Sequence, residues 1–134
     1  MALYRSDLAG KSRLGLADKG KIVPQKRWVR LRNITENATL ALPPNVLVTG
    51  EVIVVNKSAN TQAAITIGTA AAGTQVGTTP TTATKLAQAV ALTRLQAAAT
   101  ARTLFIESTA WQAGVSVFIE CQELPVVSDT TAFS

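Results

Sequence analysis

Residues 50–68, GEVIVVNKSANTQAAITIG, constrain the fold more than any other part of the chain. Residues 51–55 and 63–67 are short runs rich in β-branched side chains, and the polar residues 56–62 between them favour turns. Branching at Cβ restricts χ1 and suits a pleated, half-buried surface, while Gly, Asn and Ser break such runs. The stretch therefore reads as two strands joined by a loop, the unit from which all-β sandwiches are built. It specifies architecture and carries no chemistry of its own.

The 134 residues amount to one domain by size, long enough for a single core. Apolar residues make up 47% of the chain, so a packed body is expected, and its abundant Thr and few charges suit strands better than a helical bundle. No apolar run approaches the roughly 20 residues needed to span a bilayer. Residues 1–15, MALYRSDLAGKSRLG, carry charges where a secretion signal needs an apolar centre, so synthesis in the cytoplasm is the expectation. The chain contains no histidine and a single cysteine, Cys121. Without an imidazole, Ser-His-Asp and Cys-His catalysis and nearly all catalytic zinc sites are excluded, and one cysteine cannot form an internal disulfide.

Charge divides the chain. Residues 1–32 hold nine basic side chains against Asp7 and Asp18, a balance of +7, whereas residues 33–134 hold four basic and six acidic ones, a balance of −2. Glycines and Pro24 interrupt residues 1–25, which show no sustained period. Two readings stand for this segment: a solvated tail, or an extended arm that orders on a partner. Leu3, Tyr4, Leu8, Leu14, Leu16, Ile22 and Val23 favour the arm, because a tail that only solvates has no use for them.

The division expected is an arm over 1–25, a β-sandwich domain over 26–124 and a polar tail over 125–134. In KRWVRLRNI, residues 26–34, Val29 and Leu31 alternate with Arg30 and Arg32, which predicts a half-buried strand with basic side chains outward and Trp28 as an amphipathic anchor. Residues 38–42 form a short strand stopped by Pro43-Pro44-Asn45. Residues 46–49 lead through Gly50 into the strand at 51–55. Residues 68–84 read as loop with a brief strand at 74–76. Residues 85–101 fit helix and strand about equally, and their β surroundings favour strand and turn. Strands follow at 103–107 and 115–122, the second placing Val115, Val117, Ile119 and Cys121 on one face. Seven to nine strands give an all-β fold, a β-sandwich or jelly-roll-like domain with an extended basic N-terminal arm.

Few groupings of residues suggest chemistry. Gly10-Lys11-Ser12 resembles the end of a P-loop, but Arg5 stands where that motif needs its first glycine. Glu51, Glu107, Glu120 and Glu123 lie at or near strand ends, where solvated carboxylates are ordinary, and nothing in their spacing makes them converge. Cys121 has the parity of a buried apolar residue rather than a reactive thiol. Asn33-Ile34-Thr35, Asn37-Ala38-Thr39 and Asn56-Lys57-Ser58 match the glycosylation sequon but have no secretion signal to give it meaning. The basic arm could meet phosphate backbones. Its charges, however, are spaced and interleaved with Leu, Ile and Val, as in a segment that docks on protein.

The order of a short basic arm, a strand and loop of the form NKSANTQAAITIG, then GTQVGTT, TLFIESTAW and VSVFIECQ resembles small β-sandwich structural proteins of tailed bacteriophages, the capsid decoration or cement proteins in particular. The resemblance covers most of residues 34–123 and is one of pattern, without a diagnostic motif. It implies a non-enzymatic virion protein on the capsid surface, a homotrimer that braces neighbouring major capsid protein subunits. It implies no cofactor, metal, small-molecule substrate, membrane or nucleic acid. Charge and position make Tyr4, Arg5, Arg13, Arg27, Trp28, Arg30 and Arg32 the expected protein-binding residues. The alternative is a carbohydrate- or receptor-binding module of a phage tail or fibre, whose mark would be exposed aromatics on loops; only Trp111 qualifies.

Overall fold

A computed structural model describes the backbone of residues 2–5 and 25–124, with side chains from residue 26 onward. The strands are β1 (Ala2–Arg5), β2 (Gln25–Leu31), β3 (Ala38–Leu42), β4 (Val46–Asn56), β5 (Ile65–Gly68), β6 (Gly77–Thr78), β7 (Leu86–Ala91), β8 (Arg102–Ser108) and β9 (Val115–Glu123). They form a β-sandwich of two sheets, one ordered β1-β3-β8-β5-β6 and the other β2-β9-β4-β7. Pairing is antiparallel except where β1 runs parallel to β3. No helix occurs among the described residues, and so none long and apolar enough to cross a membrane.

Period-two alternation builds the core. On β9, Val115, Val117, Ile119 and Cys121 are fully buried, while Ser116, Phe118, Glu120 and Gln122 on the opposite face are partly exposed. Val29 and Leu31 of β2 and Val48, Val52 and Val54 of β4 extend that inner surface. Leu40, Leu42, Ile65, Ile67, Leu104 and Ile106 meet it from the other sheet. Burying each such side chain is worth about 1.5–3 kcal/mol, so the shared layer between the sheets holds the body together.

The chain repeatedly changes sheet. Each consecutive pair of strands from β2 to β9 is divided between the two sheets, apart from β5 and β6, which are hydrogen-bonded neighbours. The loop expected at 56–62 runs over residues 57–64 and carries the chain from β4 in one sheet to β5 in the other.

Several expected boundaries move. The strand expected at 51–55 begins earlier: β4 starts at Val46 and runs through Gly50 as one strand of 11 residues. The register against β9 shifts between Val48 and Val52, and Gly50 absorbs the irregularity with φ at 97°. The brief strand expected at 74–76 is displaced to Gly77–Thr78, while Val76 is buried and its N–H donates to the Ile67 carbonyl at 3.0 Å. Residues 85–101 begin with strand β7 paired to β4, and Leu95 then bridges to Val48. β5 starts at Ile65, because Gln62 pairs with Thr82 instead of extending the strand. The expected tail at 125–134 lies outside the described residues, as does most of the expected arm.

Candidate interaction surface

β2 is an edge strand, and its alternation decides which of its side chains are available. Val29 and Leu31 enter the core, so Lys26, Trp28, Arg30 and Arg32 are exposed, Trp28 at 38%. Arg27 has the inward parity and is only partly exposed; its Nε lies 3.9 Å from Oε1 of Glu123. Burial raises the Glu123 carboxyl above its ordinary value, an effect the Arg27 charge partly opposes. Arg27 thus closes one end of the sandwich, and its difference from Arg30 was legible from its parity with Val29 and Leu31.

The register places a partly apolar face beside this basic edge. Arg30 is opposite Phe118, Phe118 opposite Ile53, and Ile53 opposite Ala89, giving one row across β2, β9, β4 and β7. Val55 and Ala87 lie on the same outer face, and Phe118, Ile53 and Val55 are all partly exposed. Glu51 and Glu120 add negative charge; Glu120 Oε1 accepts the Thr49 hydroxyl at 2.8 Å. The expectation from sequence stopped at the basic residues with Tyr4 and Trp28. The apolar row was missed because Phe118, Ile53 and Ala89 are far apart in the chain and only the register assembles them.

The remaining expected contact residues are not gathered there. Tyr4 and Arg5 belong to β1 on the edge of the other sheet, where their backbone pairs with Leu40 and Ala41. Arg13 lies outside the described residues, as does Gly10-Lys11-Ser12.

Polar loop residues serve the fold. Asn56, 1% exposed, turns its Nδ2 toward the carbonyls of Asn60 (2.8 Å), Thr82 (3.1 Å) and Ala83 (3.2 Å), while its Oδ1 accepts the Ser58 N–H at 2.9 Å. Gln62, fully buried, donates to the Ala110 carbonyl at 2.9 Å and accepts the Gln112 N–H at 2.9 Å. Trp111 packs against the core, and its Nε1 donates to Asn37 Oδ1 at 2.8 Å. The indole is therefore held in place while part of it remains exposed.

The carboxylates have separate surroundings. Glu107 lines a cleft of about 550 Å³ with Asn37, Thr66 and Ser108, and its Oε1 accepts the Ala72 N–H at 2.6 Å. Glu51 lies on the opposite sheet, while Glu120 and Glu123 have the Thr49 and Arg27 contacts already given. Among the described residues, no group of three or more Asp, Glu or Cys side chains is placed to hold a metal ion. Compared with protein-family models, curated proteins and solved structures, the chain matches none.

Proposed function

We propose that the chain is a non-enzymatic structural protein of a tailed-phage virion, located on the capsid surface. In this reading it is a homotrimer that bridges neighbouring major capsid subunits through its N-terminal arm. The observation that carries the reading is the outer face of the four-stranded sheet. Phe118, Ile53 and Val55 form an apolar centre, and Lys26, Arg30 and Arg32 form a basic margin. An apolar centre with a polar rim is the anatomy of a protein–protein interface, and basic margins steer acidic partners. The well-filled core between the two sheets adds support, since a brace must hold its shape under load. The tail or fibre reading has less support, since its one expected aromatic, Trp111, also bonds to Asn37 and packs on the core.

The test is sedimentation of the purified protein with undecorated mature heads, with and without residues 1–25. The full chain is expected to pellet with the heads, and the shortened one to bind at least tenfold more weakly. If the full chain stays in the supernatant, the virion role is wrong. If the shortened chain binds equally well, the role assigned to the arm is wrong.

A further inference from the structure

The geometry points to the free edge of β7 as the docking site for an extended segment of another protein, uncharged where it pairs and acidic at its ends. β7 closes one side of the four-stranded sheet, and among the described residues β4 is the only strand paired with it. The Leu92 N–H donates to the Gly50 carbonyl at 2.7 Å, and the register of β7 on β4 continues from that pair through Val90 with Val52 and Gln88 with Val54. In an antiparallel ladder, residues bonded to one neighbour alternate with residues whose N–H and C=O groups point the other way. The peptide groups of Ala87, Ala89 and Ala91 therefore face outward, and all three residues are exposed.

Edges of this kind are ordinarily guarded. Charged side chains, proline, bulges or short length keep other chains away. β2, the opposite edge, carries exposed Lys26 and Arg30, and β6, at an edge of the other sheet, is two residues long. β7 has six residues with neither charge nor proline, and its register on β4 is unbroken. Its alanines share the outer face with Ile53 and Val55 and are too small to screen the backbone, while Leu86 is 45% exposed. An incoming strand would meet a regular row of backbone donors and acceptors beside small side chains, the terms on which strand addition to a sheet works.

Charge selects the occupant. Lys57 and Lys85 stand at the start of β7 and, with Val55, Leu86 and Ala87, line an open cleft of about 490 Å³. Lys85 Nζ donates to the Lys57 carbonyl at 2.6 Å, and its ammonium has further donors to offer a carboxylate. Arg94 is exposed just beyond the other end, and residues 86–93 between these cations are uncharged. A second copy fits this edge poorly. Two β7 strands paired antiparallel about Ala89 would gather Lys57 and Lys85 of one copy and Arg94 of the other at each end, against the single Glu51 opposite Ala91. A strand of another protein with acidic residues at its ends meets the same cations favourably. The site is distinct from the outer face of the sheet and does not depend on which assembly the partner belongs to.

Amide exchange with a defined probe tests it. In the free protein the Ala87, Ala89 and Ala91 amides should exchange at least tenfold faster than those of Gln88 and Val90, which face β4. The probe is a blocked peptide of alternating threonine and valine with aspartates at both ends. At saturation it should slow the three alanine amides at least tenfold, and the same peptide with lysines in place of the aspartates should bind at least tenfold more weakly. Lys57→Glu with Arg94→Glu, both at exposed positions, should reverse that preference. Ala89→Pro removes an outward N–H while leaving the β4 ladder its donors, and should abolish the protection of Ala87 and Ala91. The charge reversal decides the matter if the proline variant does not fold. Alanine amides that are already slow before peptide is added overturn the inference, because another part of the chain or a second copy then holds the edge. An aspartate-ended peptide that leaves them fast overturns it too, as does a lysine-ended peptide that binds as tightly.

Discussion

Cys121 is fully buried on β9, and burial, reinforced by the nearby Glu120 charge, pushes its thiol from 9.0 up to about 12. The native state therefore keeps its proton where the unfolded chain loses it. The stability this confers is complete below about 9 and declines as pH rises towards about 12. Cys121→Ala should flatten that decline in denaturation midpoints measured across the same range. Iodoacetamide at pH near 8.5 should leave the native thiol intact while alkylating it fully in urea. Asn56 is the polar counterpart. Asn56→Leu keeps approximate size but removes the amide that serves the Ala83 carbonyl and the Ser58 N–H, and takes one of two donors from the Asn60 and Thr82 carbonyls, which keep the Ser58 hydroxyl and the Gln62 N–H. A loss of roughly 2–4 kcal/mol in urea denaturation is expected.

Among the strands, β4 depends on a single backbone exception. Gly50 has φ at 97°, and a Cβ there would meet the Leu92 carbonyl oxygen at 2.5 Å, while that same Leu92 donates its N–H to the Gly50 carbonyl at 2.7 Å. Gly50→Ala should therefore cost roughly 2–4 kcal/mol and loosen the β4–β7 pairing, seen as faster amide exchange in residues 86–91. In the sequence this glycine looked like a strand boundary, because a bulge and a break have the same local signature. Elements with a one-sided apolar pattern were legible: β9 and β2 declare their inner faces in VSVFIECQ and WVRLR. β7 was not, since LAQAVA has only alanines on one face and Gln88 between Leu86 and Val90 on the other, and becomes a strand only through its partner β4. Nor were Asn56 and Gln62 legible as buried clamps, because turn-forming residues look alike whether their side chains face water or enclosed carbonyls.

For the whole molecule, stability and attachment are assigned to different residues. Lys26, Arg30 and Arg32 stand outside the core that their neighbours Val29 and Leu31 help to form. Reversing charge with Arg30→Glu and Arg32→Glu should leave the folding free energy within about 0.5 kcal/mol. On the proposed virion role, binding to phage heads, measured by cosedimentation, should fall at least tenfold, and that of the unmodified protein should weaken with added salt. The position of β9 has a consequence for how the body comes into being. It is the last strand among the described residues, yet it separates β2 from β4 in the middle of its sheet. A growing polypeptide thus has no centre for that sheet until residue 123 has been synthesised. Folding is consequently a late, all-at-once event with slow, long-range closure, and any chain released early on the ribosome is left as an unpaired substrate for proteases.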